Sequence, residues 1–340
     1  MSQHLSAVDS VSPAFSRLGE MLFRPFRFSR WLKLGFIGWL AGAGAASLNF
    51  NSGSPRFPSG VGRVGSIKDL SKVIDAAHVF VSEHMHLIIF FGILIAAVML
   101  VFVYLNCRFR FILFDAVLTR DPQIGRAWSK YAGPANRFFV FWVLYSILAG
   151  VVLFYIIVMP FWRAFRSGAF SGDDPLPAIF SVLGSMILGA LLMSLILGIV
   201  TTLANDFIVP MMAVGNVSVG EAGSLLQDMV IAEPGAFAGY LGMKLVLHIG
   251  GAVCYGIALV ICLVVLLIPI ILLVLLGVLI IALLKSMGAF GAVLAAIVIV
   301  IGVLALAALI FVLSLATIAP FAVFFTSYAL YFLGGRYPKL

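Results

Sequence analysis

The chain has 340 residues, of which 63% are hydrophobic and only 10% charged, with a formal net charge of +8 and a mean hydropathy of +1.20. A soluble domain carries roughly a quarter charged residues, so these values exclude a water-soluble globular protein and define a multi-pass membrane protein. The three cysteines, Cys107, Cys254 and Cys262, lie in or beside apolar runs; they read as small buried hydrophobes, and no disulfide framework or metal site can be built from them.

Uncharged runs at 87–104, 138–158, 179–203, 245–284 and 290–319 each meet or approach the ~20 residues that a crossing needs. They lack the alternation of a barrel, so the expected fold class is an all-α integral membrane protein. A shorter run at 31–48 brings the expectation to about six transmembrane helices.

In chain order, Ser12-Pro13 offers a hydroxyl N-cap and a proline at the first helical position. Ala14, Phe15, Leu18, Met21 and Leu22 then recur at helical spacing opposite Arg17, Glu20 and Arg24, which predicts a short helix on the membrane surface. Arg24, Arg27, Arg30 and Lys33 follow at three-residue spacing, interleaved with Phe26, Phe28 and Trp31. Cations among aromatic rings belong at a headgroup layer, as an anchor for the first span or as a site for an anionic lipid. Residues 1–30 thus form a cytoplasmic basic-aromatic segment, and 31–340 a single polytopic domain.

The first span is rich in small residues, with a GxxxG pair at Gly38 and Gly42 that lets a second helix approach closely. Ala43-Gly44-Ala45 also gives this region the outline of a cleavable signal peptide, against which stands the amphipathic helix before it. Residues 49–83 read as an external Gly/Ser/Pro/Asn loop and an amphipathic helix, closed by Glu83, His84 and His86. Two histidines two residues apart on a helix diverge, so these read as an interfacial cluster and not as metal ligands.

A unit then occurs twice: a hydrophobic helix, an amphipathic elbow and a second hydrophobic helix, at about 85–160 and 179–268. The first elbow starts at Asp121-Pro122 and turns Ile124, Ala127, Trp128 and Tyr131 toward the membrane, with Arg126 and Lys130 on the other side. The third span then runs over 137–158, followed by a polar loop from Pro160 to Pro177. The fourth span ends at Asn205-Asp206 with a kink at Pro210, and its elbow opens on Ser218 and Glu221 at capping-box spacing. That second elbow carries Glu221, Asp228 and Glu233, so the two elbows are of opposite sign and suited to pair. Pro269 divides the run 236–284 into a fifth span and a second apolar piece, 269–284, which re-enters or packs on the outer side, with a seventh full crossing as the alternative. The last span bends at Pro320.

Inside the spans the notable polar residues are Asp206, Lys244 and His248. A lone ammonium at that depth costs on the order of 3 kcal/mol, so Lys244 is expected to pair with Asp206 across the second unit, with His248 one turn along the same face. With six spans the side of the termini carries thirteen of the 21 Lys and Arg and the other side seven, which places termini and elbows in the cytoplasm.

The stretch from Phe23-Arg24-Pro25-Phe26 to Gly35-Phe36 and the closing Ser327-Tyr328-Ala329-Leu330-Tyr331-Phe332-Leu333-Gly334 resemble an uncharacterised bacterial multi-pass family, akin to the membrane domain found beside glycerophosphoryl diester phosphodiesterases. The resemblance implies a bacterial cytoplasmic-membrane protein with repeated interfacial helices and lends no functional residue. No GxSxG, HExxH or Walker lysine occurs, and no pair of carboxylates lies within the apolar spans, so neither an enzyme nor a cofactor is expected. The sequence therefore favours a membrane scaffold or accessory protein that binds anionic lipid headgroups, a partner protein or its own copies through Arg24, Arg27, Arg30, Trp31, Lys33, Arg126, Trp128 and Lys130. Nucleic acid is not an expected partner. The alternative is a transporter or lipid-handling protein with a pathway between the units.

Overall fold

The structure, a computed structural model, describes residues 5–42, 83–169, 176–284, 288–338 and 340. In chain order it contains α1 (Val11–Leu22), α2 (Phe28–Leu40), α3 (Met85–Thr119), α4 (Ile124–Lys130), α5 (Ala132–Arg166) and α6 (Leu176–Leu203). A π-helical turn (Ala204–Ile208) follows, then α7 (Val209–Gly215), α8 (Val219–Ala232), α9 (Pro234–Leu284) and α10 (Gly288–Gly334). Among the described residues five helices are long and apolar enough to cross a membrane: α3, α5, α6 with its continuation to Gly215, α9 and α10. Of the expected first span only the part up to Gly42 is described, with α2 ending at Leu40. The 49–83 loop and helix lie outside the described residues, apart from Glu83.

Two expectations about proline change. Pro269 does not divide its run, because α9 is one helix of 51 residues, about 76 Å at 1.5 Å per residue. Pro160 does not open a loop either, since α5 continues through it to Arg166. A proline removes one hydrogen bond, and a transmembrane helix absorbs that loss by local adjustment. At Pro210 the adjustment is visible: the Val209 N–H reaches five residues back to the Ala204 carbonyl, which makes the π-helical turn just before the proline.

The buried core lies at one end of the molecule, drawn from α1, α2, the last third of α3, α4, the start of α5, residues 204–226, the start of α9 and the end of α10. Its ties are specific. Arg17 donates to the Val117 and Leu118 carbonyls at 2.8 and 3.1 Å, and Arg30 donates to the carbonyl of Arg120, so cations cover the C-terminal end of α3. Arg120 itself ends the helix in a left-handed conformation at φ 60°. Arg336, almost fully buried, joins Glu233 at 2.9 Å to the Leu5 carbonyl at 3.0 Å.

The short helices bury part of their apolar stripes in this core, Ala14, Met21 and Leu22 of α1, Ala127 of α4 with Tyr131 beside it, and Ala222 and Leu226 of α8, while Phe15 and Leu225 of the same stripes stay exposed. A stripe of that width covers protein as well as lipid, which is why the sequence alone suggests an interfacial position. Helix α2 lies along α10. A Cβ on Gly35 would stand 2.1 Å from the Leu315 carbonyl oxygen and one on Gly38 2.5 Å from Ala322 Cβ. The close approach is therefore made by Gly35 with Gly38; Gly42, at φ +79°, instead turns the chain beside Asn106.

Candidate functional site

At the inner edge of the core a cavity of about 330 Å³ lies between α2, α3, the α6–α7 segment, α9 and α10. The polar side chains on its wall are Asn106, Arg110, Thr201, Thr202, Asn205, Asp206, Lys244, His248 and Thr326. Its volume is at the lower end of the range of small-molecule sites. Lys244 lies ten residues into α9, about 15 Å from the helix start, or half the thickness of an apolar bilayer core.

The π-helical turn supplies the acidic side. Asn205 and Asp206 lie within this turn, and both line the cavity. Lys244 Nζ pairs with Asp206 Oδ2, and both side chains are about seven-eighths buried, at 12% and 13% exposure. Tyr240 OH donates to the same Oδ2 at 2.7 Å. Tyr240 in turn stacks on Tyr328, with centroids 5.1 Å apart and planes at 9°, within a buried aromatic group with Phe207, Phe237 and Phe332. His248 Nδ1 lies 2.8 Å from the Lys244 carbonyl. A carbonyl only accepts, so Nδ1 carries the proton and Nε2 is left as the second nitrogen of the ring. The ring stacks on Phe325 at 4.1 Å.

Opposite stands Arg110. Its Nε donates to Asn106 Oδ1 at 2.8 Å, and Asn106 Nδ2 donates to the Leu40 carbonyl at 3.0 Å, so α2 orients the amide and the amide orients the guanidinium. Trp142 lies beneath it, with 5.9 Å from Cζ to the ring centroid. Two further polar atoms nearby, Asn205 Oδ1 on the cavity wall and the buried Tyr328 OH, have no hydrogen-bond partner among the described residues.

The expected interfacial residues divide into two sets. Arg24, Arg27 and Lys33 are exposed, beside Phe23, Phe26 and Phe28, which are themselves more than half exposed. Arg30 is engaged with α3, and Trp31 Nε1 donates to the Ala316 carbonyl of α10 at 2.7 Å. Arg126 and Lys130 both reach Asp115, at 3.0 and 3.3 Å, and Tyr131 OH donates to Asp115 at 2.9 Å. Trp128 offers its carbonyl to Arg108 at 2.9 Å and its ring to the same guanidinium at 4.8 Å. Among the described residues no ion pair joins the two elbows: the α4 cations turn to α3, Glu221 closes the capping box with Ser218, and Glu233 holds Arg336.

Around Asp115 the electrostatics are one-sided. The Tyr131 hydroxyl first and Asp115 second hold the Lys130 ammonium above the usual lysine range, and burial pushes the Tyr131 phenol up. Sequence reasoning missed Asp115, Asn106 and Arg110. The available signal was the Asn106–Arg110 pair four residues apart in an apolar run, which places both on one helix face.

These features define a multi-pass helical membrane protein with a polar cavity set among its helices. The chain belongs to a family of unknown function, DUF7544, which it matches over residues 5–340. It matches no curated protein and no solved structure, and nothing in the family match ties it to the phosphodiesterase membrane domain or to bacteria.

Proposed function

We propose that the protein is a membrane binding protein of the lipid-handling or transporting kind, and that the cavity between α2, α3, α6, α9 and α10 is where its ligand sits. The observation that supports this is the meeting of Arg110, Asp206, Lys244 and His248 on one cavity wall. Scarcity of intramembrane polar groups argues for a scaffold when those groups are scattered; gathered around one space they argue for a ligand, because ionisable groups inside a membrane mark pathways and sites. The reading assigns the protein no reaction. It takes the two helix–elbow–helix units as a repeated pair, a sixth crossing through the segment after α2, and the termini, α4 and α8 on the cytoplasmic side of a bacterial inner membrane, on the count of cations.

Filling the cavity tests it. In Ala252→Trp the indole occupies space that the wild-type wall leaves open. Native mass spectrometry of the purified wild type should show a retained small molecule that the filled variant lacks at an equal melting temperature. Identical complements in the two proteins would remove the reading. A scaffold or accessory role is the second reading, favoured by exposed Arg24, Arg27 and Lys33 with their exposed phenylalanines, which suit an anionic headgroup layer or a partner.

A further inference from the structure

Building on the cavity as a ligand site, we propose that the group it takes is a phosphate carrying a single negative charge, received by Arg110 and Lys244. The argument begins with charge. Among the described residues on the wall, Arg110 and Lys244 are cationic and Asp206 is anionic, and His248 donates through Nδ1, so the formal charge with the imidazole counted as neutral is one positive. Asp206 makes its direct contacts with Lys244 and Tyr240 through Oδ2 and forms no ion pair with Arg110 among the described residues.

The second step is geometry. Arg110 lines the cavity, and of its three guanidinium nitrogens only Nε is bonded, to Asn106, which leaves the two terminal nitrogens without a hydrogen-bond acceptor among the described residues. A fork of that kind matches two oxygens of a phosphate, and an amide that fixes its plane prepares it for such a ligand. Lys244 retains ammonium protons beyond the one given to Asp206, and Thr201 and Thr202 add hydroxyls on the same wall. So many donors around one net positive charge suit a tetrahedral oxyanion better than a neutral solute, and a phosphodiester, with its one charge, balances the site.

Two sources carry that group: the headgroup of a phospholipid and free phosphate. A lipid would meet apolar surface next to the site, since Ile199, Val200, Ile249 and Val253 are exposed and adjoin in sequence the lining residues Thr201, Gly251 and Ala252.

The test uses the full chain, stripped of lipid in detergent, with binding read by native mass spectrometry. The probes are dihexanoyl phosphatidylglycerol, inorganic phosphate and uncharged dihexanoylglycerol. The wild type should take the phosphatidylglycerol and not the dihexanoylglycerol, and Arg110→Gln should weaken that binding on the order of tenfold, as expected for a lost charge-assisted fork. Binding of phosphatidylglycerol without phosphate identifies a lipid; binding of both identifies the phosphate group as sufficient. Arg110→Lys, which keeps the charge and loses the fork, should also bind more weakly, and it replaces the glutamine variant if that variant does not fold. Equal binding of the diacylglycerol, or unchanged binding in the arginine variants, overturns the inference. If Ala252→Trp still displaces a neutral molecule in that case, the cavity remains a ligand site and only its anionic character is lost.

Discussion

Residues 111–117 of α3 are buried without a break, while residues 85–102 of the same helix are exposed without a break. The same division runs through the other long helices: the most apolar windows of α5, α6, α9 and α10 are only 6% buried, and residues near α4, α8 and the chain ends make the core. Composition does not produce this difference, since both parts are built from Leu, Ile, Val, Ala and Phe. What separates them is the packing of short helices and most of the fixed polar ties at one end, whereas the shafts touch at few places, such as Gly189 against Ile156 and the Tyr145 hydroxyl on the Leu197 carbonyl at 3.0 Å. One end is a folded domain in the ordinary sense; the other offers its surface to acyl chains, where apolar side chains gain little by leaving lipid for protein.

The largest effect should come from the seam that brings α2 against α10. Gly35→Leu would drive a branched side chain into the backbone of Leu315, already 2.1 Å from where a Cβ would stand. Backbone cannot rotate away as a side chain does, so the loss should reach at least about 3 kcal/mol, at the upper end of overpacking penalties. Thermal unfolding in detergent should show a large fall in midpoint or no folded protein at all. A wild-type midpoint would mean that the two helices are free to separate and that the packed end is less rigid than its burial suggests.

Next in size is Asp115→Ala. The carboxylate is 1% exposed and accepts from Arg126, Lys130 and Tyr131, whereas the two cations are about half exposed and can turn to water. The cost therefore falls mainly on the lost charge-assisted bonds and the stranded Tyr131 hydroxyl, about 2 to 3 kcal/mol. The same cluster sets an alkaline limit. Lys130 is held above its usual range, so its contribution is full below the unfolded lysine value, near 10.4, and is lost as pH rises through the folded value. Tyr131, pushed up by burial, releases its proton more readily when unfolded, so it too loses stability above about pH 10. Midpoints from pH 8 to 11 should fall in the wild type and fall less steeply in the alanine variant.

The cavity joins the two regions, and the Asp206–Lys244 pair tests how firmly. Either single alanine change should cost about 2 kcal/mol, because each leaves one charge in a place with little solvent, and the double change should cost less than their sum. Additive losses would show that Tyr240 and the cavity, and not the partner, satisfy each charge.

Much of the shafts was legible, because an unbroken apolar run of 20 or more residues has few fates in a chain this poor in charge. The capping box at Ser218 and Glu221 and the partner of Lys244 were legible too, since each follows from a local rule: spacing in one, the cost of a buried charge in the other. The direction of the amphipathic stripes was not, because Ala127 and Ala222 would look the same against lipid and against protein. Nor was the use made of Arg30, Arg126 and Lys130. A cation near an interface reads as a headgroup contact unless its acceptor is known, and the acceptors here are a distant carbonyl and Asp115, a carboxylate on another helix. Proline was over-read, since Pro160 and Pro269 interrupt a hydrogen bond without ending a helix.

The smallest effect should come from the shaft of α9, and it sharpens the comparison most. Leu275 is 61% exposed, on a helix whose length of about 76 Å exceeds the ~30 Å apolar core of a bilayer more than twofold. If lipid alone covers it, Leu275→Ala exchanges contact with acyl chains for contact with acyl chains, and the midpoint in nanodiscs should move by less than about 0.5 kcal/mol equivalent, as at surface positions without specific contacts. The equivalent truncation in the packed part, Leu34→Ala at a residue with 0% exposure, should cost about 2 to 5 kcal/mol. A loss of that size at Leu275 would instead show that residues beyond the cavity are buried in the assembled protein, by the excess length of α9 folding onto a neighbour or by a second copy of the chain. Light scattering of the wild type and the variant separates these, since only the second changes the mass.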